Sequence, residues 1–313
     1  MARTRIVIDT DPGQDDAVAL LLALAEPERL DVLGITTVAG NVPVPLTTAN
    51  ALRIVELARR EDVPVFAGAS QPLLRTLRTA EFISGPDGLD GAGLPPPRRA
   101  AGDRHAVSFL IETLKAAAER SVTLCPLGPL TNIALAFAQE PGLAAKVERI
   151  VLMGGARDFG NVTPAAEFNF YVDPHAAAIV LRLDVPIVVF GLHATHQAMA
   201  TPERVERIAA LGTPVGRSVH GMLSRPRAGG IERFGVAGHP LHDPCVIAYL
   251  LWPDLFNGRD CHVSVETASE VTMGCSSIDW WGSQKQKPNA HVIGDVDADA
   301  FFERLTRSLA KLR

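Results

Sequence analysis

The sequence predicts an α/β protein: an open, mostly parallel sheet flanked by helices, with a small antiparallel extension near the C-terminal end. Three observations carry this. Short β-branched runs alternate with longer helical patterns along most of the chain, the pattern of repeated βαβ units. Strands such as Ile187-Val188-Val189-Phe190 are apolar without interruption, as strands covered on both faces are. The chain has 313 residues, of which 47% are hydrophobic and 21% charged, enough for a large buried core and unlike a disordered or fibrous chain. The expectation is a Rossmann-like core within a single domain spanning residues 1–313.

The elements follow in order. Arg5–Asp9 reads as a strand and Asp16–Ala25 as a helix. Leu30–Val38 is a strand, Leu46–Arg60 a helix and Val63–Ala67 a strand. Ala106–Arg120 is helical, Val122–Leu127 a strand and Leu130–Gln139 a helix. Arg149–Met153 is a strand, Pro174–Leu183 a helix and Pro186–Phe190 a strand. Cys261–Trp281 alternates like a β meander, and Ala298–Leu312 closes the chain as a helix. Two segments break the rhythm. Arg75–Asp103 carries Gly85, Gly88, Gly91 and Gly93 and then a triple proline, and Ser224–His239 is rich in Gly and Arg. Loops of that length are usually functional or mobile. Trp280 and Trp281 read as core or interface residues.

Charge and cysteine content narrow the function. Thirty basic against thirty-five acidic residues give a net charge of −5, a poor match to a phosphate backbone, so no nucleic-acid partner is expected. The longest apolar run, Ala17–Ala25, is too short to span a bilayer, so no membrane partner is expected either. Cys125, Cys245, Cys261 and Cys275 lack metal-finger spacing and read as buried free thiols. With no secretory signal in view, the expected compartment is the cytoplasm.

The most informative stretch is Val7-Ile8-Asp9-Thr10-Asp11-Pro12-Gly13-Gln14-Asp15-Asp16-Ala17. Four carboxylates fall where an apolar strand ends and an all-round apolar helix begins, the edge at which open α/β sheets bind ligands. Helix capping accounts for Asp15 or Asp16. It does not account for four acids crowded at the edge of a buried element, where repulsion and desolvation are both costly. A hard divalent cation with oxygen ligands resolves that conflict.

Asp9-x-Asp11-Pro12-Gly13-x-Asp15-Asp16-Ala17 resembles the signature of the inosine-uridine nucleoside hydrolases, calcium-dependent N-ribohydrolases. Further segments agree in order: Ala39-Gly40-Asn41, Gly128-x-Leu130-Thr131-Asn132, Met153-Gly154-Gly155, Asn161-(x)5-Glu167-Phe168-Asn169 and His242-Asp243-Pro244. The resemblance runs from about residue 5 to residue 250. It implies Ca²⁺ as cofactor, with Asp11, Asp16, Asp243 and the main-chain carbonyl of Leu127 as ligands. It implies that Asp15, Asn41, Asn161, Glu167 and Asn169 hold the sugar, with Met153 lining that pocket and Phe168 a wall beside it. A small-molecule nucleoside would be the ligand, and a homodimer or homotetramer the assembly, in purine or pyrimidine salvage.

The chemistry implied is hydrolysis of the N-glycosidic bond to free base and ribose. Water activated on calcium would attack, with Asp11 as general base. Positive charge building on the sugar would be favoured by the surrounding oxygens. His242 would protonate or hydrogen-bond the leaving base, imidazole being suited to proton transfer near neutrality. Asn132 reads as ordering a loop.

Two departures fall on the base side. Ser84-Gly85 stands where the family often has His-Gly. The segment before His242 carries Arg227, Arg233 and Phe234 in place of tyrosines; the chain's tyrosines are Tyr171 and Tyr249. Two other readings remain open at this level. A haloacid-dehalogenase-like phosphatase shares Asp9-Thr10-Asp11 and the late Gly294-Asp295-Val296-Asp297-Ala298-Asp299. A non-catalytic nucleoside- or ribose-binding protein would keep the cation cage and lose base activation.

Overall fold

The computed structural model describes residues 3–224 and 238–312. Among them an eight-stranded sheet forms the spine. The chain enters at its middle with β1 (Thr4–Thr10), runs through helix α1 (Gln14–Leu24) and pairs β2 (Leu30–Thr37) parallel to β1. Helix α2 (Val44–Leu57) leads to β3 (Val65–Ala67) at that edge. After the short α3 (Glu81–Ser84) and α4 (Ala106–Ala116), β4 (Val122–Pro126) returns to the other side of β1. Helix α5 (Thr131–Gln139), β5 (Val147–Met153), α6 (Phe168–Val172), α7 (Pro174–Val180) and β6 (Ile187–Phe190) extend the sheet outward. The strand order reverses between β1 and β4, which opens a crevice at their carboxyl ends.

Period-two alternation sends successive strand residues to opposite faces, and two cores result. Ile6 and Ile8 of β1, Val151 of β5 and Val188 of β6 pack with α1 and α2. Val7, Ile150, Leu152, Ile187 and Val189 pack with α4, α5 and α7. Every residue of α1 except Asp15 is buried, as its all-round apolar sequence demands. Phe190 and Val188 of the continuous apolar strand meet one face while Ile187 and Val189 meet the other.

The C-terminal part holds the expected small antiparallel extension, in another form than a meander. Cys261–Trp281 is no meander: Val263–Val265 and Ser276–Ile278 pair antiparallel as an isolated ribbon. The residues between them turn on Glu266, whose Oε1 accepts the N–H groups of Ala268 and Ser269. Two strands join the main sheet instead. Ala290–Val296 lies parallel to β6, and Phe256–Cys261 lies antiparallel beyond it. Trp281 is 82% exposed and so is no core residue. Trp280 is flanked by the guanidinium groups of Arg157 and Arg259. Cys125, Cys245 and Cys261 are buried thiols. Among the described residues no helix is long and apolar enough to cross a membrane.

Candidate active site

A cleft opens at the carboxyl edge of the sheet, over the β1–β4 crevice. It is lined by Asp11, Asp15, Asp16, Asn41, Ser84, Leu127, Met153, Asn161, Glu167, Phe168, Asn169, His242 and Asp243, together with Ala80, Phe82, Ile83 and Val162. Each site residue singled out in the sequence therefore faces one space, although they come from strand ends and helix starts more than 200 residues apart.

The carboxylates are positioned by the shortest local means. Asp11 follows the end of β1. Its Oδ2 accepts the Asn41 N–H at 2.7 Å, and the Asn41 side chain donates to the Asp11 carbonyl at 3.2 Å. Asp16, in the first turn of α1, accepts from Thr10 Oγ1 at 2.5 Å, from Gly13 N at 3.0 Å and from Asn41 Nδ2 at 3.2 Å. It thus caps α1 while facing the cleft, so capping and site roles coexist in one carboxylate. Asp9 is turned away from the cleft lining: its Oδ1 accepts from Thr36 and Asn132, and its main-chain carbonyl accepts the Leu127 N–H at 2.7 Å. Asn132 also donates to the Thr37 carbonyl and accepts from Ala69 N, which knits β1, β2 and the following loop together.

Two glycines belong to this arrangement. A Cβ on Gly40 would stand 2.0 Å from Asp11 Oδ2, and one on Gly128 would stand 2.3 Å from Asp11 Oδ1. Both backbones press on the two oxygens of one carboxylate, an approach only glycine permits. Their signal in the sequence was the pair of glycines inside Ala39-Gly40-Asn41 and Gly128-x-Leu130.

Electrostatics here is set by burial. Desolvation, followed by repulsion from Asp16, holds the Asp11 carboxyl well above the usual range. Burial, then the Asp15 charge, lifts Asp16 to about 6. Asp243, just before the helix Pro244–Leu251, is raised strongly by burial and by the charges of Asp16, Asp15 and Asp11. Carboxylate oxygens of Asp15, Asp16 and Asp243 come within 4.8 Å of one another. These are hard oxygen donors without thiolate or imidazole, the set a hard divalent cation takes, and such a charge offsets the repulsion that helps raise Asp16 and Asp243. The residues present therefore fit a calcium-type ion.

The wall of the cleft that the sequence reading assigns to the sugar is built by the loop after β5 and by α6. Glu167 caps α6, accepting the N–H groups of Gly155, Asn169 and Phe170, and burial raises it to about 7. Asn161 Oδ1 accepts the Phe168 N–H at 2.9 Å, and Asn169 Nδ2 donates to the Leu127 carbonyl at 2.6 Å and to the Met153 carbonyl at 3.2 Å. Much of this polarity is spent on the backbone, which residue types alone do not reveal: Glu167 orders its own helix as well as facing the cleft. On the opposite side Ser84 Oγ donates to Asn41 Oδ1 at 3.2 Å. His242 Nδ1 lies 2.7 Å from Thr195 Oγ1. Tyr171 stands outside the cleft, with Arg75 and Arg78 stacked on it, whereas Arg227, Arg233 and Phe234 lie outside the described residues.

Comparison with known proteins agrees with this geometry. The model of the family described as inosine-uridine preferring nucleoside hydrolase matches residues 6–303. A pyrimidine-specific ribonucleoside hydrolase, RihA, of Shewanella sp. (strain MR-7) is 47% identical over 309 residues, 97% of this chain and 96% of that protein. A plant nucleoside hydrolase superposes with a TM-score of 0.90 at 34% identity over 99% of both chains. A purine-preferring ribonucleoside hydrolase from Gardnerella vaginalis gives 0.90 at 30% identity over 98% of both. The chain belongs to the inosine-uridine preferring nucleoside hydrolase family. It is an N-glycosyl hydrolase acting on ribonucleosides. The phosphatase and non-catalytic readings fall away. In the first, Asp297 caps the C-terminal helix Ala298–Leu309 and Asp299 pairs with Arg204, far in role from the cleft.

Proposed function

We propose that the enzyme hydrolyses pyrimidine ribonucleosides by direct attack of water, with Asp11 as general base. The observation that carries this is the Asp11 carboxylate, clamped between two glycine backbones at the floor of a cleft whose other carboxylates converge beside it. Asp11, Asp16, Asp243 and the Leu127 carbonyl would hold a calcium ion. When bound, that ion supplies positive charge that favours deprotonation of water and grips the ribose diol.

The chain's own residues do the rest. Asp11 takes a proton from the attacking water, whose oxygen bonds to the anomeric carbon as the C–N bond breaks and its electron pair leaves with the base. Water enters opposite the base, so the sugar product is inverted. Asp15, Asn41, Asn161, Glu167 and Asn169 orient the sugar hydroxyls. Met153 fills the space beneath the ring, and oxygens around the ring favour developing positive charge. His242 addresses the leaving base, with Phe168 beside it. The pyrimidine assignment rests on the 47% identity with a relative named as pyrimidine-specific, against 30% with one named as purine-preferring.

A panel of uridine, cytidine, inosine, adenosine and guanosine, each with and without a calcium chelator, tests this reading. Uridine and cytidine should be cleaved fastest, with activity lost on chelation and restored by calcium. Preference for purines would overturn the substrate assignment, and full activity in metal-free enzyme would overturn the calcium assignment.

A further inference from the structure

We infer that Thr195 is the positioning residue for His242, fixing which ring nitrogen is presented to the leaving base. The inference rests on the assignment of His242 to the base side and goes beyond it to a residue outside the cleft.

Thr195 is the last residue of the short helix α8 (Leu192–Thr195), which begins directly after β6. It is fully buried and does not line the cleft. Its Oγ1 lies 2.7 Å from His242 Nδ1 and 3.4 Å from the Gly191 carbonyl one helical turn back. A hydroxyl has one proton and two lone pairs. With its proton turned to the Gly191 carbonyl, Thr195 accepts an N–H from Nδ1. With its proton turned to the imidazole, it donates to a bare Nδ1. Either way the bond pins the Nδ1 edge to the protein interior. The other nitrogen, Nε2, lies across the ring from it, and His242 is half-buried on the cleft wall. The His196 ring packs 5.4 Å from the His242 ring and is itself stacked on Phe159 at 5.2 Å. The imidazole is thus held at Nδ1 by Thr195 and packed along one side by His196.

Presenting Nε2 to a base nitrogen requires an alignment good to a fraction of an ångström, because misplacing a reacting group by about 1 Å can cost 100-fold. Thr195 supplies that alignment from a rigid element at the end of β6 rather than from a loop. In the sequence it is one residue in Leu192-His193-Ala194-Thr195-His196, with nothing to couple it to a histidine 47 positions on.

The test compares Thr195→Val, Thr195→Ser and His242→Ala on uridine and on p-nitrophenyl riboside, whose phenolate leaves without help. Valine keeps the shape and deletes the hydroxyl, leaving Nδ1 without this partner. Thr195→Val should lower kcat on uridine by up to about 100-fold, with turnover of the aryl riboside nearly unchanged. Thr195→Ser should restore most of the loss. Thr195→Val added to His242→Ala should cost nothing more, since both act through one contact. Equal losses on the two substrates would show a merely structural role and overturn the inference, as would full uridine turnover in Thr195→Val alongside a selective loss in His242→Ala. If His242→Ala itself showed no selectivity between leaving groups, the base-side assignment of His242 would fail, and the role of Thr195 with it.

Discussion

The two ends of the cleft are built from different materials. The end that carries the carboxylates is buried, acidic and hydrogen-bonded. Asp11, Asp16, Glu167, Asn169 and Asp243 are all buried there, and Asn41 ties Asp11 to Asp16. The other end is open and partly apolar: Phe82 is 70% exposed and Ile83 41% exposed, both from the long segment between β3 and α4. Carboxylates crowded at strand ends need each backbone and side chain around them held fixed, since any unpaired buried charge is costly. Apolar groups at a cleft mouth carry no such requirement and can vary in place and type. On the function proposed above, the contrast teaches that bond cleavage would be set by the buried acidic end and leaving-group choice by the open one.

Mutating the buried acidic end should give the largest effect. Asp11→Asn keeps the shape yet removes the proposed base and an anionic donor, so kcat should fall on the order of 10⁴-fold or more. Retention of wild-type turnover on uridine would remove Asp11 from the base role. Substrate surgery at the same end comes next. A site that hydrogen-bonds a buried hydroxyl discriminates strongly against its loss, so 2′-deoxyuridine should be cleaved at least about 100-fold less efficiently than uridine. Comparable kcat/KM values would show that the 2′-hydroxyl is not read.

Metal and pH sharpen the electrostatic side. Burial raises the Asp16 carboxyl from 3.8 to about 6. A carboxyl whose pKa is raised by folding holds its proton longer in the folded than in the unfolded chain. Its contribution to the stability of metal-free protein is therefore lost as pH rises from about 4 to about 6. Calcium offsets that penalty once the carboxylates are ionised. The Tm gain on adding calcium should thus be larger at about pH 7.5 than at about pH 5. A gain independent of pH, measured by scanning calorimetry, would place the ion away from these groups.

The smallest effect is expected at the open end. Ser84 makes one neutral hydrogen bond, to Asn41, worth about 0.5–1.5 kcal/mol. Ser84→Ala should therefore change kcat/KM by no more than about tenfold. A larger loss confined to poor leaving groups would show that Ser84 helps the base depart.

Much of this was legible because it is local. The strand–helix rhythm, the burial of α1 and the acidic run at its start are short-range patterns, and hydrophobic periodicity reports them directly. The strand Phe256–Cys261 was hidden because its four central residues are exposed, so an edge strand shows little apolar alternation. The helices Pro202–Ala209 and Pro214–Leu223 each start on Thr-Pro with the threonine capping, a signal present in the sequence and outside the elements read from it.

The sequence by itself determined the α/β architecture, the acidic strand end and the family resemblance, because strand and helix periods and a contiguous motif are properties of neighbouring residues. Only the tertiary structure decided which groups share the cleft. Asp15, Asp16 and Asp243 converge because α1 packs against the helix after Asp243, and Gly40 and Gly128 close on Asp11 because β2 and β4 flank β1. Thr195 meets His242 for the same reason: the ends of separate elements are brought to one edge of the sheet, and pairing across 47 residues leaves no trace in local sequence.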